Sequence, residues 1–251
     1  SGAFRTHGTE VASLIASNGG DGVHGVNASA KILPIRLFGA CNMTRSDLLD
    51  AIAWAAGLPV EGTPINTNPA RVINMSIAGG LAVCGSDLQR LINRVIEKKI
   101  FVIAAAGNNF HKPLPEPANC QGVISVGALD AENKIEIYSA LDSRTTIYAP
   151  GGGKRLDSNT YWSENKLMVA TYELDFLGNE RPAAALRGVG TSFAAPIVSG
   201  FVSLWLSHHP NKQPTDLSKE LPNFLRQVDS IIKCPECMPK GLAATVNLMA
   251  P

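Results

Sequence analysis

The sequence predicts an α/β fold: a doubly wound, mainly parallel sheet with helices on both faces. Three observations predict it. Short apolar runs of strand length alternate along the chain with amphipathic helical patterns, which is how parallel sheets are built. A chain of 251 residues suffices for one well-buried domain, with no internal repeat or linker to divide it, so residues 1–251 read as a single unit. Hydrophobic residues make up 45% and charged residues only 17%, which suits a compact chain with little disorder.

The elements follow in order. Residues 6–17 read as a helix, with Val11, Leu14 and Ile15 at helical spacing. Asn18 to Gly22 carries turn chemistry. Residues 30–38 read as a buried strand through Ile32, Leu33, Ile35 and Leu37. Residues 45–56 form an amphipathic helix, capped by Thr44 or Ser46 and leaving at Gly57. A Pro/Gly/Asn-rich loop spans 57–70, and the next strand spans 71–76. A helix over 84–99 places Leu88, Leu91, Ile92 and Val95 on one face. Strands follow at 100–106 and 122–129. The stretch 151–187 is the least regular, and 216–228 reads as helical.

The net charge of +1, without a basic cluster, argues against a nucleic-acid partner. The longest apolar run, 193–206, is too short to cross a bilayer and is interrupted by Pro196, Ser199, Gly200 and Ser203, so no membrane partner is expected. Asn27, Asn42 and Asn74 stand in Asn-x-Ser/Thr sequences; Asn74 falls within a strand, which makes that match fortuitous.

Three small-residue settings carry the chemistry. Ser192 lies in Gly190-Thr191-Ser192-Phe193-Ala194-Ala195-Pro196, directly ahead of the nearly uncharged run 197–206. A helix N-terminus offers unpaired N–H groups and a positive dipole end, both favourable to developing negative charge. Ser192 there is either a nucleophile or the N-cap of a core helix. Upstream lie His7 in His7-Gly8-Thr9-Glu10-Val11-Ala12 and Asn108 in Ala105-Ala106-Gly107-Asn108. Together they supply a general base, an oxyanion donor and a nucleophile.

In order, HGTEVA, VINMSIAGG, AAAGN, APGG and GTSFAAP resemble the signature blocks of the subtilisin-like serine proteases, over nearly the whole chain. The likeness is greatest to the secreted, disulfide-containing bacterial branch. The resemblance implies a serine endopeptidase acting on peptide or protein substrates through an acyl-enzyme on Ser192. His7 would be the base, and Asn108 with the Ser192 N–H would form the oxyanion hole. Ser76, Ile77 and Ala78 would pair with the substrate backbone, and Ala105, Ala106 and Gly107 would wall the S1 pocket. Ser13 and Ala78 stand where the family usually has Gly. Glu116 is either a carboxylate near the pocket floor or a solvated loop residue.

The five cysteines sort by the same likeness: Cys84 with Cys120, Cys234 with Cys237, and Cys41 left to pair with a segment ahead of His7. Read without it, Cys234-x-x-Cys237 is a redox pair or half a zinc site with His208 and His209. Disulfides imply an oxidising compartment, so a secreted, extracellular or periplasmic location is expected. No cofactor is required for the chemistry. A calcium site seen in many relatives falls in the 18–22 loop, which is short here, and no metal ligand set is assignable.

In the family the third triad member is an Asp on a strand ahead of the His, in an Asp-Ser/Thr-Gly motif that is not found in this sequence. Asp21, Asp47 and Asp50 lack that setting. The expectation is a sheet lacking its N-terminal strand or strands. The carboxylate would come from an N-terminal companion of the same precursor, held in the sheet and by Cys41. A non-catalytic peptide-binding module is the alternative. Transpeptidation or macrocyclisation is a third reading, and would need a water-excluding element that only 154–187 could provide.

Overall fold

The computed structural model describes residues 6–20, 22–38, 43–109, 112–131, 133–153, 166–174 and 180–217. Its helices are α1 (His7–Ala16), α2 (Arg45–Ala55), α3 (Ser86–Glu97) and α4 (Thr191–His208). Its strands are β1 (Val72–Met75), β2 (Phe101–Ala105), β3 (Ile124–Leu129), β4 (Ile147–Pro150), β5 (Leu167–Leu174) and β6 (Glu180–Gly188). Strands β1 to β4 form a parallel sheet in sequence order, while β5 and β6 form a separate antiparallel hairpin.

The sheet is covered on both faces, as its composition demands. Every residue of β2 is buried. Phe101, Ile103 and Ala105 pack with α1 and α4, whereas Val102 and Ala104 pack with α2 and α3. The alternation of side chains along an extended strand produces this two-sided core. A polar network fixes α4 against β1. Ser199 Oγ donates to Asn74 Oδ1 (2.9 Å), Asn74 Nδ2 donates to Ser76 Oγ (3.0 Å), and Ser76 Oγ donates to the Ser192 carbonyl (2.7 Å). Pro196 explains the last bond: it lacks the N–H that would bond the carbonyl four residues back, so the Ser192 carbonyl is left for Ser76.

Helix α2 begins with a capping box in which Thr44 and Asp47 satisfy each other's backbone N–H groups. Asn74 lies inside β1, and Asn27 is buried with its amide on Ser203, so neither Asn-x-Ser/Thr match presents a free side chain. Asn42 lies outside the described residues.

Two expectations are corrected. Residues 30–38 are not a strand, and Ile32, Leu33, Ile35 and Phe38 are 37% to 46% exposed. An apolar run becomes a strand only when neighbours take its hydrogen bonds, and among the described residues none does. Conversely, the stretch expected to be least regular carries the β5–β6 hairpin, whose pairing extends from Leu167–Gly188 to Leu174–Glu180. Residues 214–217 are helical, and the rest of the helix expected over 216–228 lies outside the described residues.

Candidate active site

Ser192 is the second residue of α4, in its first turn. The helix is entered through Gly190, whose φ of 135° suits glycine. A Cβ there would lie 2.9 Å from Asn108 Nδ2, so the close approach of the two segments also requires glycine. Asn108 Oδ1 accepts from the Thr191 N–H and the Thr191 hydroxyl, both at 2.9 Å. The Thr191 hydroxyl in turn accepts from the Gly107 N–H at 3.1 Å. These bonds fix which end of the amide is oxygen and leave Nδ2 as the available donor.

Asn108, Thr191 and Ser192 line one cavity of about 390 Å³ together with Ala78, Gly79, Gly107, Asn109 and Pro115. Gly107 has φ 99°, and a Cβ on it would come within 3.2 Å of Pro115 and 3.4 Å of Ala78, closing the cavity across its width. Of the expected substrate contacts, Ala78 and Gly107 line this space, and Ser76 is bonded to Ser192. Ile77 packs on the α2–α3 side of the core. Ala105 and Ala106 are fully buried, one in each core layer, and are not among the residues lining this cavity. Ala105 ends β2 and Ala106 follows it, so alternation along the extended chain sends their methyl groups into opposite layers. Asn109, Pro115 and Thr191 also line it, and of these only Thr191 stands within a motif block, GTSFAAP.

His7 opens α1, which packs on α4. Its ring lies edge-on to Phe193, with centroids 5.7 Å apart. Burial pushes its pKa below the usual value, and the Glu10 carboxylate acts in the opposite direction. Ser192 Oγ donates to the Ser76 carbonyl at 3.3 Å, and among the described residues no hydrogen bond joins it to His7. The structure therefore brings Asn108 and Ser192 together and sets His7 beside the next residue along.

The segment 79–85, which enters the cavity lining at Gly79, is anchored at several points. Gly79 N–H donates to the Glu116 carbonyl (3.0 Å), and Glu116 N–H donates to the Leu81 carbonyl (3.2 Å). The Cys84–Cys120 disulfide, with Cα atoms 5.0 Å apart, closes the same unit. A 36-residue separation corresponds to about 3–4 kcal/mol in the chain-entropy account of such cross-links. Glu116 is not a solvated loop residue. It is buried, accepts from Gly85 N–H, and pairs with Arg45 Nη1 at 2.7 Å. Arg45 also binds Asp87 at 2.6 Å. Burial of Glu116 opposes its charge, but the Arg45 and Gly85 hydrogen bonds outweigh it and hold its pKa below the usual value. Arg45 is shared between Glu116 and Asp87, so the cluster keeps one net negative charge.

Cys84, Glu116 and Cys120 are the one grouping among the described residues with metal-ligand spacing, but the disulfide occupies both sulfurs. Cys41, Cys234, Cys237 and Asp21 lie outside the described residues. Among the described residues, no helix is long and apolar enough to cross a membrane.

A serine at a helix N-terminus, an oriented amide beside it and a parallel α/β scaffold beneath define the layout of an acyl-transfer enzyme. The chain belongs to the subtilase family, whose model matches residues 1–228. It is 34% identical over 227 residues to an extracellular basic protease of Dichelobacter nodosus, covering 89% of this chain and 35% of that protein. It is 36% identical over 209 residues to an extracellular protease of Xanthomonas campestris pv. campestris, covering 81% of this chain and 33% of that protein. Its fold matches a solved protease of Pseudoalteromonas arctica with a TM-score of 0.72 at 34% identity, covering 84% of this chain and 61% of the other. The chain thus spans about a third of the length of these two curated relatives.

Proposed function

We propose that this chain is the catalytic part of a secreted serine endopeptidase. Ser192 Oγ attacks the scissile carbonyl, forming the acyl C–O bond, while His7 takes the hydroxyl proton and delivers it to the leaving amine. Water, deprotonated by His7, then releases the acid and restores Ser192. The negative charge on the tetrahedral oxygen is held by Asn108 Nδ2 and the Ser192 N–H. The observation that carries this reading is the shared cavity of Ser192 and Asn108, with the Asn108 carbonyl oxygen already committed to Thr191. Substrate backbone pairs with Ser76, Ile77 and Ala78 in the manner of strand addition.

The orienting carboxylate for His7 comes, in this reading, from an Asp on a companion strand of the same precursor, with Cys41 as its disulfide anchor. Two observations support a place for that strand. Among the described residues β1 is an edge of the sheet, bonded to β2 alone, and Ile32, Leu33, Ile35 and Phe38 are exposed apolar side chains.

Asn108→Leu tests the assignment. It is expected to lower kcat by roughly 10²–10³ with little change in KM, the scale found when the equivalent donor is removed from subtilisin. A kcat unchanged by the substitution contradicts the role, and a cleft that binds peptide without turnover in the wild type supports a binding module instead.

A further inference from the structure

We propose that Glu10 is a positioning residue that ties the β5–β6 hairpin to the helix bearing His7 and stabilises the imidazolium that His7 becomes during turnover. The proposal rests on His7 being the general base. Glu10 follows His7 by three residues on α1 and is only 5% exposed. A carboxylate buried to that degree is costly unless hydrogen-bonded. Its Oε1 accepts from the hydroxyl of Thr6, the residue before His7, at 2.9 Å. The same oxygen accepts from the hydroxyl of Thr171 on β5, itself buried, at 3.0 Å. One turn on, Ser13 Oγ accepts from the Ala170 N–H at 3.0 Å and donates to the Glu10 carbonyl at 2.7 Å. The hairpin is thus fastened to the His7 helix by Glu10 and Ser13 side by side.

Two hydroxyl donors need only an acceptor; a neutral amide would serve them. The formal charge matters for what else lies within reach. Side chains three residues apart on a helix are neighbours. Among the described elements, those that pack chiefly on α1 are α4 and β5. α4 turns the uncharged Phe193 ring to His7 and carries no ionisable acid or base before His208. β5 carries Tyr172 and Glu173, both exposed to solvent. Among the described residues Glu10 is therefore the buried acid on the face where α1 meets its neighbours, and its effect on His7 runs against that of burial.

The test is the titration of His7, followed by NMR of the ring Cε1–H in Ser192→Ala protein and assigned by its loss in His7→Asn. Glu10→Gln keeps an acceptor and removes the charge. It should lower the His7 pKa by about one unit, the Coulombic scale for charges about 6 Å apart at intermediate dielectric. In otherwise wild-type protein the acid limb of kcat/KM should move down in parallel, because that limb reports the base of the free enzyme. Glu10→Asp, which retains the charge, should restore most of the shift. An unchanged His7 titration in folded Glu10→Gln protein overturns the proposal. This measurement needs no turnover, so its failure is separable from failure of the base assignment, which His7→Ala kinetics tests. Thr171→Val leaves the carboxylate in place and removes only the hairpin's hydroxyl. It should lower kcat severalfold at constant KM, and an unchanged kcat overturns the clamp even where Glu10→Gln does not fold.

Discussion

Ser192→Ala is expected to lower kcat roughly 10⁶-fold, the scale established by removing the serine from subtilisin itself. Folding should be nearly unaffected. The hydroxyl makes one 3.3 Å bond, to the Ser76 carbonyl, and a bond of this kind contributes on the order of 1 kcal/mol. The stronger link between the same segments, Ser76 Oγ to the Ser192 carbonyl at 2.7 Å, belongs to the main chain of residue 192 and survives the substitution. KM should stay within a few-fold, because Ala78, Gly79, Gly107 and Pro115 define the cavity without the hydroxyl. Steady-state kinetics beside a thermal melt checks both halves. A large loss of stability, or a small loss of kcat, contradicts the role.

His7→Ala should cost about as much as Ser192→Ala, and the double variant should cost no more than either alone, near 10⁶-fold. Residues that act as one unit fail together, and what remains is the contribution of the oxyanion donors and substrate binding. This prediction is sharp for the present structure, in which Ser192 Oγ is bonded to Ser76 and His7 stands against Phe193. The account requires the serine to leave the Ser76 carbonyl and join His7 when substrate enters; catalytic hydrogen bonds commonly tighten only at that stage. If the two losses multiplied instead, Ser192 and His7 would be acting separately and the acyl-enzyme account would fail. The comparison needs an assay sensitive enough to read the residual rate, best made on an activated ester.

Much of the scaffold was legible because its signals were local. β2 reads as an unbroken apolar run since both of its faces are covered, and the Thr44 cap is visible since a capping box spans four residues. Ser192, Asn108 and His7 stood out through their small neighbours, and the structure brings the first two into one cavity. What was not legible depends on partners distant in sequence. Glu116 meets Arg45 across 71 residues, and nothing near either one marks the pair. Residues 30–38 carry the pattern of a strand, but pattern alone does not supply a neighbour to bond. The β5–β6 hairpin hides in a stretch whose alanine-rich second strand, Glu180–Gly188, has weak β propensity. Its attachment runs through the side chains of Glu10 and Ser13, on a helix far upstream. Glu10 itself reads in the sequence only as an acid in the first turn of a helix, where a favourable dipole interaction is reason enough for it.

The measurement that bears most directly on the central claim is labelling of folded protein by a fluorophosphonate, read by intact mass with and without reduction. The account predicts one adduct, located on Ser192 by peptide mapping and lost in Ser192→Ala. A folded protein that takes no adduct, or takes it at another residue, would contradict the assignment of Ser192 as the nucleophile.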